Sequence, residues 1–183
     1  MPLCGGIVLS LERMNALVEI DRVNLMAVTE PGIITGELQQ RVEAEGLFYP
    51  PDPASLESCS IGGNVAEGAG GSRAVRYGTT KDYVQGLEMV LPNGDVIHTG
   101  GKVVKDVTGY NLTQLVIGSE GTLAVVTQII LRLSPLPTQR VDLLIPYGSI
   151  ENATQTVSDI IGARIVPTAI EFMEGNCFDL AED

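Results

Sequence analysis

The residues with the strongest chemical character lie in Ser55-Leu56-Glu57-Ser58-Cys59-Ser60-Ile61-Gly62-Gly63-Asn64-Val65-Ala66-Glu67-Gly68-Ala69-Gly70-Gly71-Ser72. This run holds five glycines, four serines, two alanines and one Asn in eighteen positions. It has too little apolar side chain to offset the entropy of ordering it as a core segment. Paired glycines let the backbone turn with positive φ and let a bulky ligand approach the main chain. Hydroxyls and successive backbone N–H groups are what a phosphate or a flavin edge needs. The same composition also fits a flexible surface loop, so the flanking sequence decides between the two. A second tight glycine turn, Gly118-Ser119-Glu120-Gly121-Thr122, stands before a long apolar run. Two such turns at strand ends suit a nucleotide cofactor lying in an extended groove. Neither belongs to a G-x-G-x-x-G fingerprint, and there is no G-x-x-x-x-G-K-[ST], so Rossmann and P-loop architectures are excluded.

The elements that must position these turns read as follows. Short strands are expected at Ile7 to Ser10, Leu17 to Ile20 and Leu25 to Val28, the last two joined by the turn Asp21 to Asn24. Thr35 is expected to cap a helix to Glu45, with Leu38, Val42 and Ala44 facing inward and Gly46 ending it. Phe48 to Pro53 carries three prolines and reads as extended. Tyr83 to Leu91 and Val96 to Thr99 form a hairpin through Pro92-Asn93-Gly94-Asp95. Asn111 to Ile117 reads as a short helix and Leu123 to Leu133 as a long strand. Pro135 and Pro137 mark a domain boundary, dividing the chain into 1–136 and 137–183. Beyond it come a strand at Val141 to Ile145, a helix at Ile150 to Ile161, a strand at Thr168 to Met173 and the start of another helix.

Composition narrows the chemistry. Of 183 residues, eleven are Lys or Arg and twenty-three are Asp or Glu, a net charge of −12. That argues against a nucleic-acid partner, which needs clustered cations. No apolar run approaches the length of a membrane span, and the N-terminus carries no secretory signal. Cys4, Cys59 and Cys177 are odd in number and lack metal-ligand spacing, which fits a reducing cytoplasm rather than a disulfide or zinc framework. The single histidine, His98, is isolated, so Ser–His or Cys–His nucleophilic chemistry has little to work with. Tyr83, Tyr110 and Tyr147 read as packing residues, Cys59 as a small buried residue, and Lys102 and Lys105 as solvated. Glu120 is the one acid singled out, either orienting its loop through backbone donors or facing a ribose.

Taken in order, Ser58 to Glu67, Ala69-Gly70-Gly71, Tyr77-Gly78, Leu91 to Gly94, Lys102 to Leu112 and Gly118 to Leu123 resemble the FAD-binding domain of the vanillyl-alcohol-oxidase (PCMH) type. Within it they are most similar to the branch of glycolate oxidase subunit GlcD and D-lactate dehydrogenase. The resemblance covers nearly the whole chain. It implies an α+β fold: a mixed or antiparallel sheet flanked by helices, followed by the first β-α-β unit of an oxidase cap. It further implies FAD as cofactor, oxidation of a small 2-hydroxy acid by hydride transfer, and electrons passed to a partner subunit or the respiratory chain. The location implied is cytoplasmic, with any inner-membrane association made through partner subunits. By the same resemblance the cofactor-binding residues are Ser55, Ser58, Cys59, Ser60, Gly62, Gly63, Asn64, Ala69, Gly70, Gly71, Glu120, Gly121, Thr122 and Val125. None is catalytic and none binds a metal.

Three positions depart from the family pattern: Gly68 where Asn is usual, Asn111 where Asp is usual, and Ala124 where Gly is usual. Ala124 narrows the groove if its backbone needs positive φ. The family's pyrophosphate loop lies just upstream of the segment matching Pro2 to Gly6, and its acid/base residues lie in the cap beyond Met173. The expectation is therefore a fragment that carries the flavin platform, binds FAD weakly or not at all alone, and shows no turnover. Self-association through an apolar strand such as Ile7 to Leu9 is also expected. The alternatives left open are a non-catalytic scaffold subunit of an oxidase complex and a small-nucleotide binder on an unrelated fold.

Overall fold

In the computed structural model, residues 5–174 are described. Two hairpins and one late strand make the main sheet. β1 (Leu17–Asp21) and β2 (Met26–Thr29) pair antiparallel across the turn at Arg22–Leu25. β4 (Val84–Val90) and β5 (Val96–Gly100) pair through the Asn93-Gly94 turn, where Gly94 takes φ +89°. β6 (Val125–Arg132) inserts between them, with Thr29 opposite Ile129 on one side and Val90 opposite Val125 on the other. The order is β1-β2-β6-β4-β5, antiparallel throughout. A separate two-residue pairing joins β3 (Leu47–Phe48) to β7 (Ser134–Pro135).

One face of this sheet meets the helices. α1 (Thr35–Glu43) presents Leu38, Gln39 and Val42, and Gln39 Nε2 satisfies the carbonyls of Tyr49 and Pro51. Its N-cap is Ile34 without a side-chain bond, because Thr35 is already the first helical residue. Ala44, expected inside, is exposed. Three short helices follow: α2 (Ile61–Glu67), α3 (Ala74–Tyr77) and α4 (Leu112–Val116), the last capped by Asn111 accepting from the Gln114 N–H. The core gathers Ile33, Leu38, Val42, Tyr49, Ile61, Val65, Leu87, Met89, Ile129 and Leu131. Tyr49 is fully enclosed, and burial pushes its phenol well above the usual range, so it stays neutral.

Three expected strands do not form. Ile7 to Ser10 is unpaired, with Ile7 95% exposed. Val141 to Ile145 and Thr168 to Met173 also carry no strand, and Leu143 and Leu144 stand more than four-fifths exposed. A strand needs a neighbour for its N–H and C=O groups, and no described residue pairs with any of these. Of the expected β-α-β unit, the helix α5 (Ile150–Gly162) alone forms, capped by Ser149 and burying none of its residues. Cys4, Cys177 and the helix expected after Met173 lie outside the described residues.

The largest correction concerns the glycine-serine run, whose centre is helix rather than loop. Ser60, with extended φ and ψ, accepts from the Gly63 N–H at 3.1 Å. Gly68 closes the helix in the left-handed region at φ +67°, where Ala69 N–H reaches the Asn64 carbonyl. Gly62 and Gly63 have ordinary negative φ. Gly62 is needed for packing: a Cβ there would stand 2.5 Å from Pro31 Cβ and 2.9 Å from its carbonyl oxygen. On the buried face, Asn64 Nδ2 donates to Thr35 Oγ1 at 2.7 Å, and Thr35 Oγ1 donates on to the Cys59 carbonyl. This chain of bonds ties α2 to α1.

Gly62→Ala is expected to lower stability by about 1–3 kcal/mol, the usual cost of overpacking, while Gly63→Ala, which meets only Ser60 Oγ, stays within about 1 kcal/mol of wild type. Thermal unfolding of the two variants side by side checks the contrast. Asn64→Ala leaves a buried bond unmade and is expected to cost about 1–3 kcal/mol. An Asn64→Ala chain of unchanged melting temperature would show that the side chain is not a structural tie.

Candidate functional site

β6 carries the Gly118–Thr122 turn to the side of α2. The Gly118 N–H donates to the Val65 carbonyl and the Glu120 N–H to the Ala66 carbonyl, both at 2.9 Å. Gly118 and Gly121 take φ +79° and +71°, and no atom lies within 4 Å of a Cβ built on either. Glu120 itself sits at φ +52°, a conformation that non-glycine residues adopt only when their surroundings hold them. Its backbone bond to Ala66 supplies that hold. Thr122 Oγ1 closes the turn on the Ser119 carbonyl at 2.6 Å.

Between α2 and this turn runs a groove of about 190 Å³, lined by Leu9, Leu11, Pro31, Gly62, Val65, Ala66, Val116, Ser119, Gly121, Ala124, Val125 and Val126. Its walls are small and apolar. Ala124 is buried and has no positive φ, so it fills the family's glycine position without strain. Gly68 suits the left-handed cap that it occupies, a conformation Asn also tolerates.

The expected cofactor residues separate into three groups. Gly62, Gly121 and Val125 line the groove, with Glu120 and Thr122 in its rim turn. Ser55, Ser58 and Cys59 instead form a turn docked on α1: Ser55 carbonyl accepts from Ser58 and Cys59, and Cys59 carbonyl accepts from the Thr35 N–H. Ser60, Gly63 and Asn64 are committed to the cap and to the tie with Thr35. The four leading N–H groups of α2 all have acceptors inside the protein: Ile61 on Ile33, Gly62 on Pro31, Gly63 on Ser60 Oγ and Asn64 on the Ser60 carbonyl. The helix start therefore offers no free donors to an anion.

Of the expected Ala69, Gly70 and Gly71, the two glycines do offer them, together with Ser72. Ala69 is held at both ends, its N–H on the Asn64 carbonyl and its carbonyl on the Thr80 N–H. The next three N–H groups, of Gly70, Gly71 and Ser72, have no acceptor among the described residues. Three successive free amides on a fixed limb fit the polar edge of the expected FAD, and a small-walled apolar groove fits a flat face. Size sets a limit: ligand pockets commonly span roughly 300–1,000 Å³, so a groove of about 190 Å³ takes only part of a dinucleotide.

Sequence reasoning missed Pro31, Ala66 and Ser119 in the groove wall. Pro31 carries no local signal of a ligand wall, and Ala66 at a helical position was the available signal. Other expectations also shift. Lys102 is not simply solvated: its Nζ lies 2.6 Å from Glu19 Oε1 and 3.7 Å from Asp21 Oδ2, and Glu19 raises its pKa. Tyr83 packs as expected, donating to the Tyr77 carbonyl, whereas Tyr110 is 96% exposed. His98 Nε2 lies 3.0 Å from Glu88 Oε2 on strands β5 and β4, and the Thr127 hydroxyl, more than His98, holds that carboxyl below its usual range. Among the described residues, no helix is long and apolar enough to cross a membrane, and no group of three His, Cys, Asp or Glu is placed to hold a metal ion.

Known proteins match this arrangement. The family described as FAD binding domain matches residues 2–100, and the C-terminal domain of FAD linked oxidases matches residues 136–183. Glycolate oxidase subunit GlcD of Bacillus subtilis (strain 168) is 52% identical over 182 residues, covering 100% of this chain and 39% of its own length. D-lactate dehydrogenase of Anaerostipes hadrus is 42% identical over 170 residues, covering 93% of this chain and 36% of its own. The chain thus spans about two fifths of the length of these curated relatives. A solved alkyldihydroxyacetonephosphate synthase shares the fold, with a TM-score of 0.73 at 24% identity over 86% of this chain and 28% of that one. With more than half of its residues matched and both glycine turns placed on one groove, the chain belongs to the FAD binding domain family, and its cofactor is FAD.

Proposed function

We propose that this chain is the flavin platform of an oxidoreductase that acts on a small 2-hydroxy acid, of the glycolate or D-lactate type. The observation that carries the proposal is the stitching of the Gly118–Thr122 turn onto α2 by two backbone bonds, and the free amides of Gly70, Gly71 and Ser72 add donors to it. The names of the similar proteins, a glycolate oxidase subunit and a D-lactate dehydrogenase, support the substrate class. FAD, when bound, would supply a hydride acceptor for the Cα–H of a 2-hydroxy acid. The residues of this chain bind and orient. Gly62, Gly121, Ala66 and Ala124 keep the groove wall low enough for a flat ring or sugar to approach the backbone. Val65, Val116 and Val126 exclude water along its floor. The Gly70 to Ser72 amides donate to acceptors on the bound group.

Within this reading the flavin domain runs over 1–136 and the cap begins at 137. The substrate-selecting and acid/base residues belong to the cap, and electrons pass to a partner subunit or carrier. A cytoplasmic location, and any homo-oligomer or oxidase complex, belong to the same proposal. A non-catalytic scaffold is the weaker reading, because the groove and the free amides serve no purpose in it.

Titration of FAD into the purified chain, followed by flavin absorbance and fluorescence, tests the proposal. The expected outcome is saturable but weak binding, with FAD preferred over FMN and ADP, and no oxidation of glycolate or D-lactate by the chain alone. Absence of any saturable FAD signal, or equal binding of ADP, would overturn it.

A further inference from the structure

We propose that Asp52 is a positioning residue that fixes the Ala69–Ser72 limb, and so aims its three free amides; this rests on the flavin-platform reading of that limb. The limb is anchored at its start by Asn64 and Thr80, as described above. At its far end the Gly71 carbonyl accepts from the Ala74 N–H, and the side-chain anchor is Asp52. Asp52 Oδ1 accepts from the Arg73 N–H at 3.0 Å, and Oδ2 accepts from Ser72 Oγ at 3.2 Å and forms an ion pair with Arg73 Nε, also at 3.2 Å. The carbonyl of Asp52 presses so closely on Gly71 that a Cβ there would stand 2.0 Å from it. Limb and residue therefore touch through both main chain and side chain.

Asp52 is itself held rigidly. It lies between Pro51 and Pro53, both buried, whose rings fix their own φ. Its side chain is 15% exposed and that of Arg73 22%, so solvent screens the ion pair weakly. Arg73 is gripped from a second direction, its guanidinium lying 5.3 Å from the centre of the Phe48 ring. Arg73 Nη1 is buried without an acceptor among the described residues, which leaves the carboxylate of Asp52 as the group that orients this guanidinium. Gly70 and Gly71 are flexible by nature. A limb of such residues holds three amides in place only when both ends are pinned, and Asp52 is the pin at the end nearest those amides.

The test compares wild type, Asp52→Asn and Asp95→Asn, the last a control in the distant β4–β5 turn. Amide hydrogen exchange without cofactor reads the limb directly, and FAD titration by fluorescence reads its consequence. In Asp52→Asn, exchange over residues 69–78 is expected to rise while that of β4 and β6 stays at wild-type rates. The FAD dissociation constant is expected to rise about tenfold, the order associated with losing charge-assisted hydrogen bonds, and Asp95→Asn to match wild type in both. Wild-type exchange over 69–78 in Asp52→Asn would overturn the proposal. A loosened limb with unchanged FAD affinity would overturn its link to the cofactor while the platform reading stood. Failure of the wild-type chain to bind FAD would sink that reading, and the proposal with it. If Asp52→Asn does not fold, Arg73→Met, which keeps the apolar stem over Phe48, decides by the same two measurements.

Discussion

Everything in this fold depends on β6 pairing on both edges. The hairpins β1–β2 and β4–β5 are local, and β2 and β4 each keep one edge open toward the centre of the sheet. β6 arrives late in the chain, closes both edges at once and makes a single sheet. Its inward side chains, Ile129 and Leu131, are fully buried at the centre of the core. The segment just before it, Gly118 to Thr122, is thereby delivered beside α2, half the sheet's sequence away. The groove is thus a consequence of sheet closure rather than of either glycine run alone.

The second constraint is the use of glycine against the protein itself. Gly62 lets α2 sit on Pro31, and Gly71 lets the limb lie on the carbonyl of Asp52. In the turn at the groove, Gly118 and Gly121 have open space where a side chain would be, and these take positive φ. A glycine-rich motif here combines three uses: close packing, a left-handed helix end at Gly68, and true openness toward a groove. The same distinction explains the donors. Those at the start of α2 are satisfied internally, and those of Gly70, Gly71 and Ser72 are left for a ligand.

The segment after Pro135 follows different physics. Val141, Leu143 and Leu144 are strand formers by composition and yet unpaired and exposed, and α5 buries none of its amphipathic face. Local propensity suffices to form a capped thirteen-residue helix, since its hydrogen bonds are internal. It does not suffice for a strand, whose bonds lie on another segment. The match of residues 136–183 to the C-terminal domain of FAD linked oxidases agrees with a different structural unit beginning there.

The sequence alone determined whatever rests on neighbouring residues. The Asn93-Gly94 hairpin, the helices beginning near Asn111 and Ile150, the turn at Gly118 and the apolar run of β6 were all legible, because each signal is a turn residue or a period within a few positions. The motifs in order were enough to point to the family and to FAD. Tertiary structure alone decided that Ile61–Glu67 is helix. Ser60, Gly68 and the spacing of Ile61, Asn64 and Val65 signalled it, but two glycines cost about 1 kcal/mol each by propensity. Packing on Pro31 and the Asn64–Thr35 bond outweigh that cost, and neither partner is near in sequence. Tertiary structure also decided which donors stay free and which apolar runs become strands. Both depend on an acceptor or an edge supplied by a distant part of the chain, which local sequence does not contain.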